Sequence, residues 1–70
     1  MDKIAILGAG NIGEALIAGL VGSGVAPQAI VATNRSAERR QTLAETYGVG
    51  VEGDNRAAVV DADVVVVCVK

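Results

Sequence analysis

Apolar residues in this chain fall into four short blocks separated by stretches with a longer period. The blocks are Ile4-Ala5-Ile6-Leu7, Ala29 to Thr33, Val49 to Val51 and Val64 to Val69. Each has the length of a strand and is bordered on one side by Gly, Asn or Asp. Between the first two, Ile12, Ala15, Leu16, Gly19, Leu20 and Ser23 recur at helical spacing and predict one apolar helix face. A glycine inside that stripe reads as a close-packing position, because Gly in a helix interior costs about 1 kcal/mol unless packing offsets it. Gly22-Ser23-Gly24 ends this helix, and Pro27 restarts the chain. Asn34-Arg35-Ser36 then forms a turn, with Ser36 as N-cap of a helix through Tyr47. Glu38 lies in its first turn, Leu43, Ala44 and Tyr47 face inward, and Gly48 supplies the stop. Asp54 is placed to cap a brief helix from Asn55 to Val60.

Strands alternating with helices make an α/β protein with a parallel sheet. The run from Lys3 to Leu7 suits a central strand covered on both faces. The unbroken Val64-Val65-Val66-Val67-Cys68-Val69 predicts another strand buried on both faces, and Val49 to Val51 a short strand at the edge. In a Rossmann-type doubly wound sheet the fourth strand lies beside the first, giving the order 3-2-1-4. The chain stops one residue later, so residues 1–70 read as a dinucleotide-binding domain from which later strands and any second domain are missing.

The chemistry concentrates in Gly8-Ala9-Gly10-Asn11-Ile12-Gly13, which sits between the first strand and the first helix. Gly8 permits the tight turn, Gly10 lets the backbone approach a pyrophosphate, and Gly13 brings helix and strand together. The free N–H groups and positive dipole end of the helix bind an anion without a basic side chain. The residues closing the second strand then select the dinucleotide. A carboxylate there would take the ribose hydroxyls of NAD, but none occurs between Glu14 and Glu38. Asn34, Arg35 and Ser36 instead offer an amide, a guanidinium and a hydroxyl, which complement a 2′-phosphate and favour NADP over NAD. Arg39 and Arg40 offer further cations on the same side, although a solvated helix face accounts for both.

Composition narrows the rest. Half of the residues (51%) are apolar with a single aromatic, which describes an Ala/Val/Ile/Leu/Gly core. At 70 residues, with one cysteine and no histidine, neither an internal disulfide nor a Cys/His zinc site can staple so small a core. That too points to part of a longer protein. No run approaches the roughly 20 apolar residues of a membrane span. A net charge of −2 without a basic cluster beyond Arg39-Arg40 lacks the footprint of a nucleic-acid binder. Cys68, alone in a Val run, reads as a buried small hydrophobe and suits a reducing cytoplasm. Asp61 and Asp63 have no partner acid at a defined spacing and read as cap or surface residues. No set of residues here is equipped for catalysis, and none forms a metal site.

The run from Lys3 through Gly-Ala-Gly-Asn-Ile-Gly-Glu-Ala to Leu20 resembles the amino-terminal part of pyrroline-5-carboxylate reductase. So do Asn34-Arg35-Ser36, Tyr47-Gly48-Val49, Asp54-Asn55 and Val69-Lys70. The resemblance implies reduction of 1-pyrroline-5-carboxylate to proline by hydride from NADPH, with NAD as the alternative cofactor, in proline biosynthesis. It places the pyrophosphate on Gly8, Ala9, Gly10, Asn11, Ile12 and Gly13, the adenosine side on Asn34, Arg35 and Ser36, and the ribose region on Asn55. Cys68, Val69 and Lys70 complete the cofactor-binding set where the family reads Ala-Val-Lys before a proline. Substrate binding, proton donation and assembly into a homo-oligomer are implied for a helical carboxyl-terminal domain, so these residues alone should be inactive. Two alternatives stay open on the residues themselves: an NADP-dependent 3-hydroxyacid dehydrogenase-like enzyme, and a dinucleotide-binding module without turnover.

Overall fold

A computed structural model describes residues 2–68. Four parallel strands, β1 (Ile4–Leu7), β2 (Ile30–Thr33), β3 (Gly50–Glu52) and β4 (Val64–Val67), form one sheet in the order β3-β2-β1-β4. They alternate with α1 (Asn11–Gly22), α2 (Ala37–Tyr47) and α3 (Asn55–Val59). The doubly wound architecture expected from the sequence is therefore present.

Register explains how the core forms. Ile4 and Ile6 of β1 pair with Ile30 and Ala32 of β2, which puts their side chains on one face. There Ile6, Ile30 and Ala32 join Ile17 of α1, Leu43 of α2 and Val49 in a buried cluster. The opposite face carries Ala5 and Thr33, both buried, alongside buried Ala58 of α3. Ala at position 58 suits this place because its small side chain lets a short helix lie close to the sheet.

The helix ends follow their sequence signals. Ser36 caps α2 by accepting from the Arg39 N–H at 3.2 Å, and Gly48 ends it at φ +73°. Asp54 caps α3 by accepting from the Arg56 N–H at 2.9 Å. Pro27 opens a 3₁₀ turn through Ala29, so β2 begins at Ile30 and not at Ala29. The third strand likewise starts one residue late, at Gly50, leaving Val49 as a buried plug before it.

Two expectations are corrected. The inward face of α1 is Gly13 and Ile17, flanked by half-buried Leu16, Leu20 and Val21; Ala15, Gly19 and Ser23 are exposed, and Ile12 is 76% exposed. An Ala/Gly/Leu-rich helix has apolar residues at nearly every phase, so periodicity alone did not fix its rotation. Contact between Gly13 and β1 did. Among the described residues, nothing outside its chain neighbours and the local helix backbone lies within 4 Å of where a Cβ at Gly19 would stand, so it is not a close-packing position. Nor is β4 buried on both faces: Val64, Val65 and Val67 are 44%, 45% and 63% exposed. Among the described residues it is the outermost strand beside β1, and Val66 alone of its four residues packs against the central cluster.

Candidate functional site at the carboxyl ends of the strands

The glycine turn leaves β1 at Gly8, whose φ of +75° lies in the left-handed region that glycine adopts without strain. Thr33, at the end of the neighbouring strand, holds two successive amides of this turn. Its Oγ1 accepts from the Gly8 N–H at 2.9 Å, and its main-chain carbonyl accepts from the Ala9 N–H at 2.7 Å. The Gly10 N–H turns back to the Gly8 carbonyl at 2.7 Å. Helix α1 then starts with no side chain capping it, although α2 and α3 both carry one. The amides of Asn11, Ile12 and Gly13, in the first turn, are the groups such a helix leaves open to a ligand.

The two later glycines differ sharply in surroundings. A Cβ at Gly13 would stand 3.1 Å from Ala9 Cβ, 3.5 Å from Ile6 Cγ2 and 3.7 Å from Cys68 Cβ, so this position sets the helix-to-strand approach. A Cβ at Gly10 would meet no protein atom within 4 Å and would project into open space. Among the described residues, the turn thus keeps this space clear of protein atoms.

The turn after β2 folds over the glycine turn. Asn34 donates from Nδ2 to the Ala9 carbonyl at 3.0 Å and accepts at Oδ1 from the Ser36 N–H at 2.8 Å. Its carboxamide therefore joins the two turns. Ser36 spends its oxygen on the α2 cap, and Arg35 is exposed. Neither Arg39 nor Arg40 is a simple solvated cation. Arg39 Nη2 pairs with Glu14 Oε1 at 3.1 Å, and Arg40 Nη1 donates to the carbonyls of Asn34 at 2.7 Å and Arg35 at 3.1 Å. Glu14 also accepts the Tyr47 hydroxyl at 3.0 Å, which raises the Tyr47 pKa above its ordinary value.

Two adjoining hollows result. One lies over the glycine turn, lined by Gly10, Asn11, Ile12 and Cys68; the other lies between Thr33, Asn55 and Arg56. Gly8, Asn34 and Arg35 border both. Ile12 is exposed because it lines this cleft and not the core. Cys68 is half-buried in the wall. Val69 and Lys70 lie outside the described residues. A further groove, bordered by Lys3, Gln28, Ile30 and Asp61, opens at the amino-terminal ends of the strands. Ligands of open parallel sheets bind at the carboxyl ends, beside the point where strand order reverses, and the glycine-turn cleft is at that end. Asp63 has a structural role, accepting the Lys3 N–H at 2.8 Å.

A family model described as NADP oxidoreductase, coenzyme F420-dependent, matches residues 3–70. The chain belongs to that family. Among similar proteins, a pyrroline-5-carboxylate reductase of Corynebacterium melassecola is 50% identical over the whole chain and one of Pseudomonas aeruginosa 44% identical over 97% of it. A solved pyrroline-5-carboxylate reductase from Coxiella burnetii superposes with a TM-score of 0.93 at 37% identity over 97% of the chain. The chain spans about a quarter of the length of these relatives, covering 26%, 25% and 25% of them respectively. Membership in this oxidoreductase family makes a nicotinamide dinucleotide the ligand class to fit. The uncapped α1 and the open space above Gly10 accommodate a pyrophosphate.

Sequence reasoning missed two residues of the site. Thr33 reads as one more β-branched strand residue, and only its position as the last residue of β2 signals a role. Arg56 reads as a surface cation, since nothing in the sequence shows that the first turn of α3 faces Arg35 across a hollow. Among the described residues, no helix is long and apolar enough to cross a membrane.

Proposed function

We propose that this chain is the NADPH-binding part of an oxidoreductase that reduces 1-pyrroline-5-carboxylate to proline. The observation that carries the reading is the cleft at the carboxyl ends of β1 and β2, joined to relatives of that name over essentially the whole chain. When bound, the reduced nicotinamide supplies the hydride that the imine carbon accepts. The residues of this chain bind and orient. Open amides at Asn11, Ile12 and Gly13 take the pyrophosphate; Gly10 gives it room; Asn55 meets the ribose region; Cys68 continues the wall, and Val69 and Lys70 belong to the cofactor-binding set by family resemblance alone.

The preference for NADPH over NADH rests on charge. Arg39 is paired with Glu14 and Arg40 with main-chain carbonyls, which leaves Arg35 and Arg56 as the guanidinium groups bordering the outer hollow. Two cations there favour a 2′-phosphate over a free ribose hydroxyl. Asn34 supports them by holding the turn, and the Ser36 hydroxyl hydrogen is available to a phosphate oxygen. Substrate binding, proton donation and homo-oligomer assembly belong in this proposal to parts of the parent protein outside these residues.

The test is steady-state turnover of the full-length protein with pyrroline-5-carboxylate and each reduced cofactor. Proline formation with a higher kcat/KM for NADPH, lost in an Arg35→Ala/Arg56→Ala variant, is the expected result. Absence of proline formation with either cofactor overturns the substrate assignment, and an unchanged cofactor ratio in the variant overturns the charge argument.

A further inference from the structure

We infer that Thr33 is a positioning residue that fixes the Asn55 carboxamide with its NH2 group toward the cleft, making Asn55 an obligate hydrogen-bond donor to an acceptor oxygen of the bound dinucleotide. Thr33 is 2% exposed, so its hydroxyl hydrogen needs a protein acceptor. The hydroxyl oxygen already accepts from the Gly8 N–H at 2.9 Å. Its hydrogen goes to Asn55 Oδ1 at 2.6 Å, a length typical of O–H···O and short for N–H···O. The carboxamide oxygen is thereby turned inward, and the two N–H groups are left for the hollow that Thr33, Asn55 and Arg35 border.

The consequence is a link between two halves of the cleft. Thr33 holds Gly8 through its hydroxyl, Ala9 through its carbonyl and Asn55 through its hydrogen. The pyrophosphate turn and the residue facing the adenosine half are thus set by one buried side chain. A group that can only donate to Asn55 is disfavoured, whereas a phosphate oxygen, or a ribose oxygen turned to accept, is taken. This inference rests on the dinucleotide reading for its ligand, but not for its geometry.

The experiment therefore has one arm without ligand and one with it, both on the full-length protein. In the first, NMR of the unliganded protein follows hydrogen exchange at the Gly8 amide and the side-chain amide signals of Asn55. Thr33→Ser should keep both as in the unsubstituted protein, while Thr33→Val should speed Gly8 exchange and release the Asn55 side chain. Unchanged signals in Thr33→Val overturn the link whatever the protein binds. In the second, NADPH affinity is measured for Asn55→Asp, which keeps the inward oxygen for Thr33 on an exposed residue and so preserves the fold. Replacing the outward donor by an acceptor should weaken binding about two- to tenfold, as expected for loss of a hydrogen bond to an uncharged ribose oxygen. The affinity losses of Thr33→Val and Asn55→Ala should be non-additive, and Thr33→Ser should restore binding. If Asn55→Asp binds NADPH as tightly as the unsubstituted protein, the donor assignment is wrong. If the unsubstituted protein binds no dinucleotide while the first arm succeeds, it is the function reading that fails.

Discussion

Glu14 in α1 and Arg39 in α2 form an ion pair at 3.1 Å, so one cation lining the glycine-turn hollow is committed to joining the two helices. Both side chains are about a third exposed, at 31% and 38%, which lets solvent screen the pair. Glu14→Gln should therefore cost only about 0.5–1 kcal/mol of stability, and raising salt should shrink the difference. Denaturant titrations at low and high ionic strength check both. A salt-independent loss would show that packing, and not charge, holds α1 to α2.

The same carboxylate sets a pH response. Hydrogen bonding of the Tyr47 hydroxyl to Glu14 is the main cause of its raised pKa, followed by desolvation and the Glu14 charge, with Arg39 opposing. An unfolded tyrosine ionises near 10, so the contribution is complete below about that pH and is lost as pH rises through the higher folded value. Tyr47→Phe should accordingly lose less stability than the unsubstituted chain between neutral and strongly alkaline pH. Parallel curves for the two proteins would contradict the assignment.

Gly10→Ala and Gly13→Ala separate binding from folding. At Gly13 a methyl would gain about 1 kcal/mol in helix propensity but would press on Ala9, which is 0% exposed and closely surrounded, while meeting Ile6 at ordinary contact distance. Overpacking of this kind costs about 1–3 kcal/mol, so a net destabilisation near 1 kcal/mol is expected. Gly10→Ala should leave the melting temperature nearly unchanged and lower dinucleotide affinity, because its methyl enters the cleft. Thermal melts and ligand titrations of both variants test the contrast.

Exposed Val65 and Val67 on the edge strand β4 predict self-association of the 70-residue chain at high micromolar concentration. Lysine at either position should suppress it. Sedimentation of a compact monomer before any substitution would count against this.

Element order, caps and the glycine turn were legible in the sequence because each rests on local rules: period, capping side chains and the φ of Gly8. Contacts between distant segments were not. The rotation of α1 depends on Gly13 meeting Ile6 and Ala9, and the pairing of Arg39 depends on Glu14, 25 residues away. Asn34 illustrates the limit most clearly. Its type suggested contact with the cofactor, whereas its carboxamide spans the Ala9 carbonyl and the Ser36 amide, so Asn34→Asp would break the turn before it altered cofactor choice. A run of valines, likewise, cannot say how many neighbours its strand will find.

The most direct measurement is an NMR titration of the protein with NADPH, reading backbone amides residue by residue. The account predicts the largest shifts at Gly8 to Gly13, at Asn34 to Ser36 and at Asn55, with smaller shifts at Arg35 and Arg56 when NADH replaces NADPH. Shifts confined to Lys3, Gln28 and Asp61 at the opposite end of the strands, or no shifts at saturating cofactor, would contradict it.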